Sequence, residues 1–142
     1  MSYSISKTNP IFIDIALLAV RLFVGFAMLS HGFPKLQMLL EGGDIKFFDF
    51  LGLGPKISLG LTVFAEFVCS IFLILGLFTR IAVGFLTFTM FVAGFVVHGS
   101  DSFDKRELSL LYLAVYVLIL VLGAGRFSVD GMIEKRRRSS EW

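Results

Sequence analysis

Apolar residues run through this chain in long blocks, with too little alternation for strands. Four blocks stand out, at about 10–31, 57–78, 80–98 and 107–124. The breaks between them carry GFPK, LGLGPK, FTR and HGSDSFDKRE, the proline, glycine and charge that ordinarily punctuate helices. Blocks of roughly 17–25 apolar residues match a bilayer core about 30 Å thick. Backbone amides in hydrocarbon must bond internally, so each block is expected to be a helix. The short breaks imply an all-α membrane protein, an antiparallel four-transmembrane-helix bundle in one domain spanning 1–142. Within the first outer loop, DIKFFDFL (44–51) reads as a short interfacial helix with Asp44 as its N-cap. Its aromatics also suit an ordinary aromatic belt with no ligand.

Composition agrees with the pattern. Of 142 residues 56% are hydrophobic, and 17 are phenylalanine. The net charge of +2 is too small to suggest nucleic acid as a partner. The lipid bilayer is the expected surrounding, with redox subunits or further copies of the chain as candidate protein partners. The first block is longer than the apolar region of a signal peptide and ends in HGFPK in place of a small-residue cleavage site, so it is expected to be retained. Four crossings place both termini and the 78–80 turn on one side, which carries Lys7, Arg80, Arg126, Lys135, Arg136, Arg137 and Arg138. Lys35, Lys46, Lys56, Lys105 and Arg106 fall on the other. Seven cations against five put both termini, and the basic tail 126–142, in the cytoplasm of an inner-membrane protein. The run EKRRR serves as a topology signal on this reading, with contact to anionic lipid the alternative.

Charge inside the blocks is sparse and therefore informative. Asp14, Arg21 and Glu66 lie within them, and His31, His98 and Glu107 lie near their ends. Counted from the outer breaks, Arg21 lies about 16 Å deep and Glu66 about 14 Å deep at helical rise. An Arg21–Glu66 ion pair forming a buried polar core is the expectation. It serves either as a structural lock or as the lining of a polar cavity. His31, Lys35, His98 and Glu107 gather at the outer face as a candidate quinone or proton site, because imidazole beside carboxylate suits proton transfer near neutrality. Gly84, Thr87, Phe91, Gly94 and His98 share one face of the third block, a side expected to pack closely. Haem is disfavoured, since the two histidines stand at span ends and not across a cavity. No metal site is expected from two histidines and one acid. Cys69 is the lone cysteine, which excludes a disulfide or dithiol within the chain and reads as a small core residue.

HGFPKL (31–36), GLFTRIA (76–82) and GAGRFSVD (123–130), with Arg21, Glu66 and Glu107, resemble the DoxX family across residues 14–130. Ala124 departs from the proline often found there. The resemblance implies a four-helix inner-membrane protein, some of whose relatives are subunits of thiosulfate:quinone oxidoreductases. It points to a subunit of a membrane redox complex that passes electrons from a sulfur or thiol donor to quinone. A non-catalytic scaffold or assembly partner is the alternative, and a small-solute or proton carrier a third. The sequence shows no cofactor motif of a stand-alone enzyme.

Overall fold

In a computed structural model, residues 9–141 are described, and all regular structure among them is helical. Lys7, counted above for orientation, and Trp142 at the end of the tail lie outside the described residues. Helix α1 is Pro10–Glu41, α2 is Pro55–Leu75 and α3 is Thr79–Val97, and each is long and apolar enough to cross a membrane. Helix α4 is Phe103–Leu122, and α5, Val129–Ser139, occupies the basic tail. Within α2 and α3, Phe64–Cys69 and Val92–Val97 are wound as π-helix, a wider turn often found at functional sites.

Two expectations fail in the first third of the chain. The first helix was expected to stop near His31, ahead of Pro34, because proline lacks an N–H and crowds the preceding turn. Instead α1 continues through Pro34 to Glu41 and ends where Gly42, at positive φ, donates its N–H to the Met38 carbonyl. Proline is tolerated here as it often is in membrane helices. The interfacial helix at 44–51 does not form. Residues 42–54 are irregular, and Gly42, Gly43, Leu51, Gly52 and Gly54 all take positive φ, which breaks helical winding repeatedly. Side chains shape this loop instead: Asp49 Oδ1 accepts the Gly54 N–H, and Ser58 Oγ accepts the Phe50 N–H.

Helix α1 lies along α2, α2 against α3 and α3 against α4, with a smaller contact between α1 and α4. The core between them includes Met28, Leu73, Val83, Leu86, Tyr116 and Ile119. Small residues set the approach of α1 to α2. A Cβ on Gly32 would come within 2.8 Å of the Glu66 carbonyl carbon, and one on Gly25 within 2.5 Å of the Ile74 side chain. On α3, Gly94 packs against Leu110 and Ser109, but nothing lies within 4 Å of a Cβ on Gly84, so the expected small-residue face is close-packed only at its end. Large apolar side chains stand outward on every long helix, Phe23 being 76% exposed and Val121 70%. Apolar exposure on this scale fits lipid in place of water.

Candidate functional site

Arg21 and Glu66 are both buried, at 1% and 4% exposure, but they do not pair. The register explains why. Gly32 rests on Glu66, so Arg21, eleven residues earlier on α1, lies about 16 Å away along the helix axis. The depth comparison failed because it placed the end of α1 at Gly32, where the helix in fact continues.

Arg21 instead reaches a set of backbone carbonyls. Its Nε donates to the Leu73 carbonyl at 3.0 Å, Nη2 to Ile74 at 3.2 Å, and both Nη1 and Nη2 to Phe127 at 3.1 Å. Nη1 also donates to the Ala124 carbonyl, a backbone contact indifferent to whether alanine or proline stands there. Leu73 and Ile74 lie in the last turn of α2, so the guanidinium sits at the negative end of its dipole, bonding the Ile74 carbonyl and sharing the Leu73 carbonyl with the Gly76 N–H. Gly76 makes room for it: at φ 68° it turns the chain, and a Cβ there would come within 2.9 Å of the Arg21 guanidinium carbon.

Other charged groups close the same end. The Asp130 carboxylate accepts the N–H groups of Phe78 and Thr79, both at 2.9 Å, and so caps α3 from a distant segment. Asp14 accepts the Arg126 backbone N–H and pairs with its guanidinium at 3.1 Å. The Arg21 stretch of α1, GLFTRIA and GAGRFSVD thus meet in one polar junction. Sequence reasoning missed the parts played by Asp14 and Asp130. The available signals were the charge of Asp14 within the first apolar block and the place of Asp130 at the end of GAGRFSVD.

Glu66 has a different partner. Lys35 Nζ, on the extended part of α1, lies 2.5 Å from Glu66 Oε2. The pair lines a cavity of about 410 Å³. Phe47, Phe48 and Phe50 of the 42–54 loop form one wall, with Phe64 of α2 and Phe85 and Phe88 of α3 among the others. Ser58, Thr62, Thr89 and His98 are its remaining polar linings. Both π-wound segments contribute, the first through Phe64, Ala65 and Glu66, the second through Val92, Ala93 and Val97. The second segment is braced by Arg106, whose Nε donates to the Gly94 carbonyl at 3.1 Å while its guanidinium lies 5.5 Å from the Phe95 ring centre.

Of the outer-face candidates, Lys35 and His98 reach this cavity, while His31 and Glu107 are not among its linings. His98 Nδ1 donates to Asp101 Oδ2 at 2.8 Å. That hydrogen bond, opposed by desolvation and helped by the charge of Lys105, holds the Asp101 carboxyl below the usual carboxylate range. His31 meets the Tyr112 ring edge-on at 6.2 Å, and Tyr112 stacks on Tyr116 at 5.8 Å. Glu107 is exposed in the opening turns of α4. Among the described residues no group of histidine, cysteine and acidic side chains is arranged to hold a metal ion.

A family model described as DoxX matches residues 16–99, more than half of the chain. The chain belongs to the DoxX family. The match takes in Arg21, Lys35, Glu66 and His98, and ends before GAGRFSVD. Two proteins of Haemophilus influenzae, each named only as an uncharacterized protein, are similar along almost the whole length. One is 24% identical, over 96% of this chain and 95% of its own. The other is 30% identical, over 94% of this chain and 98% of its own. No solved structure matches the chain. As a DoxX-family membrane protein it carries two polar centres, a carbonyl-bound arginine and a cavity with an ammonium–carboxylate pair.

Proposed function

We propose that this DoxX-family protein is the quinone-binding subunit of a membrane redox complex that accepts electrons from a sulfur or thiol donor. The carrying observation is the cavity: aromatic walls, with one ammonium–carboxylate pair and one imidazole at its surface. A flat ring bearing carbonyl oxygens suits that lining, since few placed polar groups within an apolar pocket fix a ligand's orientation. Bound quinone would supply the electron acceptor. Lys35 has N–H groups beyond the one facing Glu66 with which to hold a carbonyl oxygen. Glu66 pairs with the ammonium and holds it in place, and the phenyl groups exclude water. A lone Cys69 gives the chain no dithiol of its own, so donor oxidation falls to a partner subunit.

The same reading has α4 as a fourth crossing in an antiparallel bundle. Its 20 residues are long enough, and it turns Leu111, Leu118 and Val121 outward. Both termini then face the cytoplasm of the inner membrane. The seven cations against five near the helix ends support that orientation.

Protein purified from native membranes and extracted with organic solvent is expected to yield isoprenoid quinone. Lys35→Met and Glu66→Gln should each lower that content about tenfold, the effect of about 1.4 kcal/mol in binding. Absence of quinone from the native protein, together with failure to bind an added short-chain quinone, overturns the proposal. That result would favour the scaffold reading, which the Arg21 junction supports by giving the most buried charge a wholly structural role.

A further inference from the structure

The end of the molecule closed by Arg21 carries, on its outside, charge that the junction leaves unused. Three of its acids are engaged: Asp14 by Arg126, Asp130 by two backbone N–H groups of α3, and Glu134 by Arg138 one turn along α5; Glu141, exposed beyond the end of α5, is the one set against the free cations among the described residues. Arg80, Lys135, Arg136 and Arg137 have no carboxylate partner among the described residues. Helix α5 buries none of its side chains. It is nevertheless held firmly at its start, where Ser128 Oγ accepts the Gly131 N–H and Asp130 ties it to α3.

Cations at a helix C-terminus are stabilised by the dipole, and that alone would explain Lys135–Arg138. It does not explain their apolar neighbours. Val129, Met132, Ile133 and Arg136 fall at i, i+3, i+4 and i+7, so they share one face. Met132 and Ile133 stand open on it, and Phe127 and Phe78 stand open on the adjoining turns. A short helix with an exposed apolar stripe and a cationic end, fastened beside membrane-long helices, has the two chemistries of a bilayer surface. Apolar groups enter the acyl boundary while cations meet phosphate.

We infer that α5, together with Arg80, is a docking surface for anionic phospholipid headgroups. Charge complementarity selects the headgroup, and the stripe of Met132 and Ile133 seats the helix on the leaflet. This surface lies at the opposite end of α1 from the Lys35–Glu66 cavity, so it stands independently of the quinone reading.

The test uses the full chain in nanodiscs of phosphatidylcholine alone or of phosphatidylcholine mixed with phosphatidylglycerol. Hydrogen exchange is followed in peptides covering 129–139. Exchange is expected to slow about tenfold in the anionic bilayer and to recover at high salt, since attraction between exposed charges is screened. A variant carrying Lys135→Gln, Arg136→Gln and Arg137→Gln should lose that lipid dependence with an unchanged melting temperature. Met132→Ser with Ile133→Ser should lower protection in both bilayers. Equal exchange in the two bilayers, or lipid dependence persisting in the triple variant, overturns the inference. Either result leaves the cations to an acidic partner protein.

Discussion

At the scale of single residues, Arg21 shows how a buried charge is made tolerable without an acid in contact. The carbonyls of Leu73, Ile74, Ala124 and Phe127 take up the guanidinium's N–H groups, and its planar fork suits them as no other side chain would. Arg21→Ala should lower stability by about 3 kcal/mol or more, because it removes the N–H donors of the Ile74, Ala124 and Phe127 carbonyls. Arg21→Lys should rescue only part of that loss in detergent melting curves. Full rescue by lysine would show that charge alone is required. Asp101 makes a second prediction, with its sign fixed by direction. Its carboxyl is held below the usual range, so the His98 contact contributes fully above about pH 4 and is lost as pH falls through the lower folded value. The carboxyl carbon signal of Asp101 should therefore titrate at lower pH in the native protein than in His98→Ala. Coincident curves would remove the hydrogen bond as the cause.

At the scale of elements, hydropathy revealed much and proline misled. The three long apolar helices fall close to the blocks read from sequence because burial in lipid demands length and apolarity, both visible in composition. The end of α1 was not legible. Whether a helix survives Pro34 depends on its surroundings, and the neighbours of α1 are not written in its own sequence. The 42–54 loop failed for a related reason: its aromatics imitate an interfacial helix, while they serve as a cavity wall. Glycine contacts between α1 and α2 give a prediction that depends on what each glycine meets. Gly32→Ala drives a Cβ into the Glu66 backbone, whereas Gly25→Ala meets the flexible Ile74 side chain. Both sites are tight, yet only one has a neighbour able to turn aside. The Gly32 variant should lose about 1–3 kcal/mol and the Gly25 variant clearly less, read from paired thermal melts. Asp130→Ala removes the distant cap of α3 and should cost about 1–2 kcal/mol.

At the scale of the whole molecule, the two polar centres stand apart along α1. Arg21 and Glu66 could be picked out as charge placed in apolar blocks, but their partners could not. Pairing follows the register set by Gly32 on Glu66, a contact between helices that no spacing within either helix records. If one end fastens the fold and the other takes a ligand, their variants should separate by readout. Arg21→Lys should lower the melting temperature while the protein that remains folded still binds short-chain quinone. Glu66→Gln should weaken that binding about tenfold with a smaller change in melting temperature. The centres lie about 16 Å apart along α1, beyond the range at which sites usually couple, so losses of stability in the double variant should add to within about 0.5 kcal/mol. A strongly non-additive double variant would mean that the Arg21 junction and the Lys35–Glu66 cavity form one cooperative unit. The carbonyl junction would then belong to the ligand site, because strain at one end would reach the other through α1 and α2.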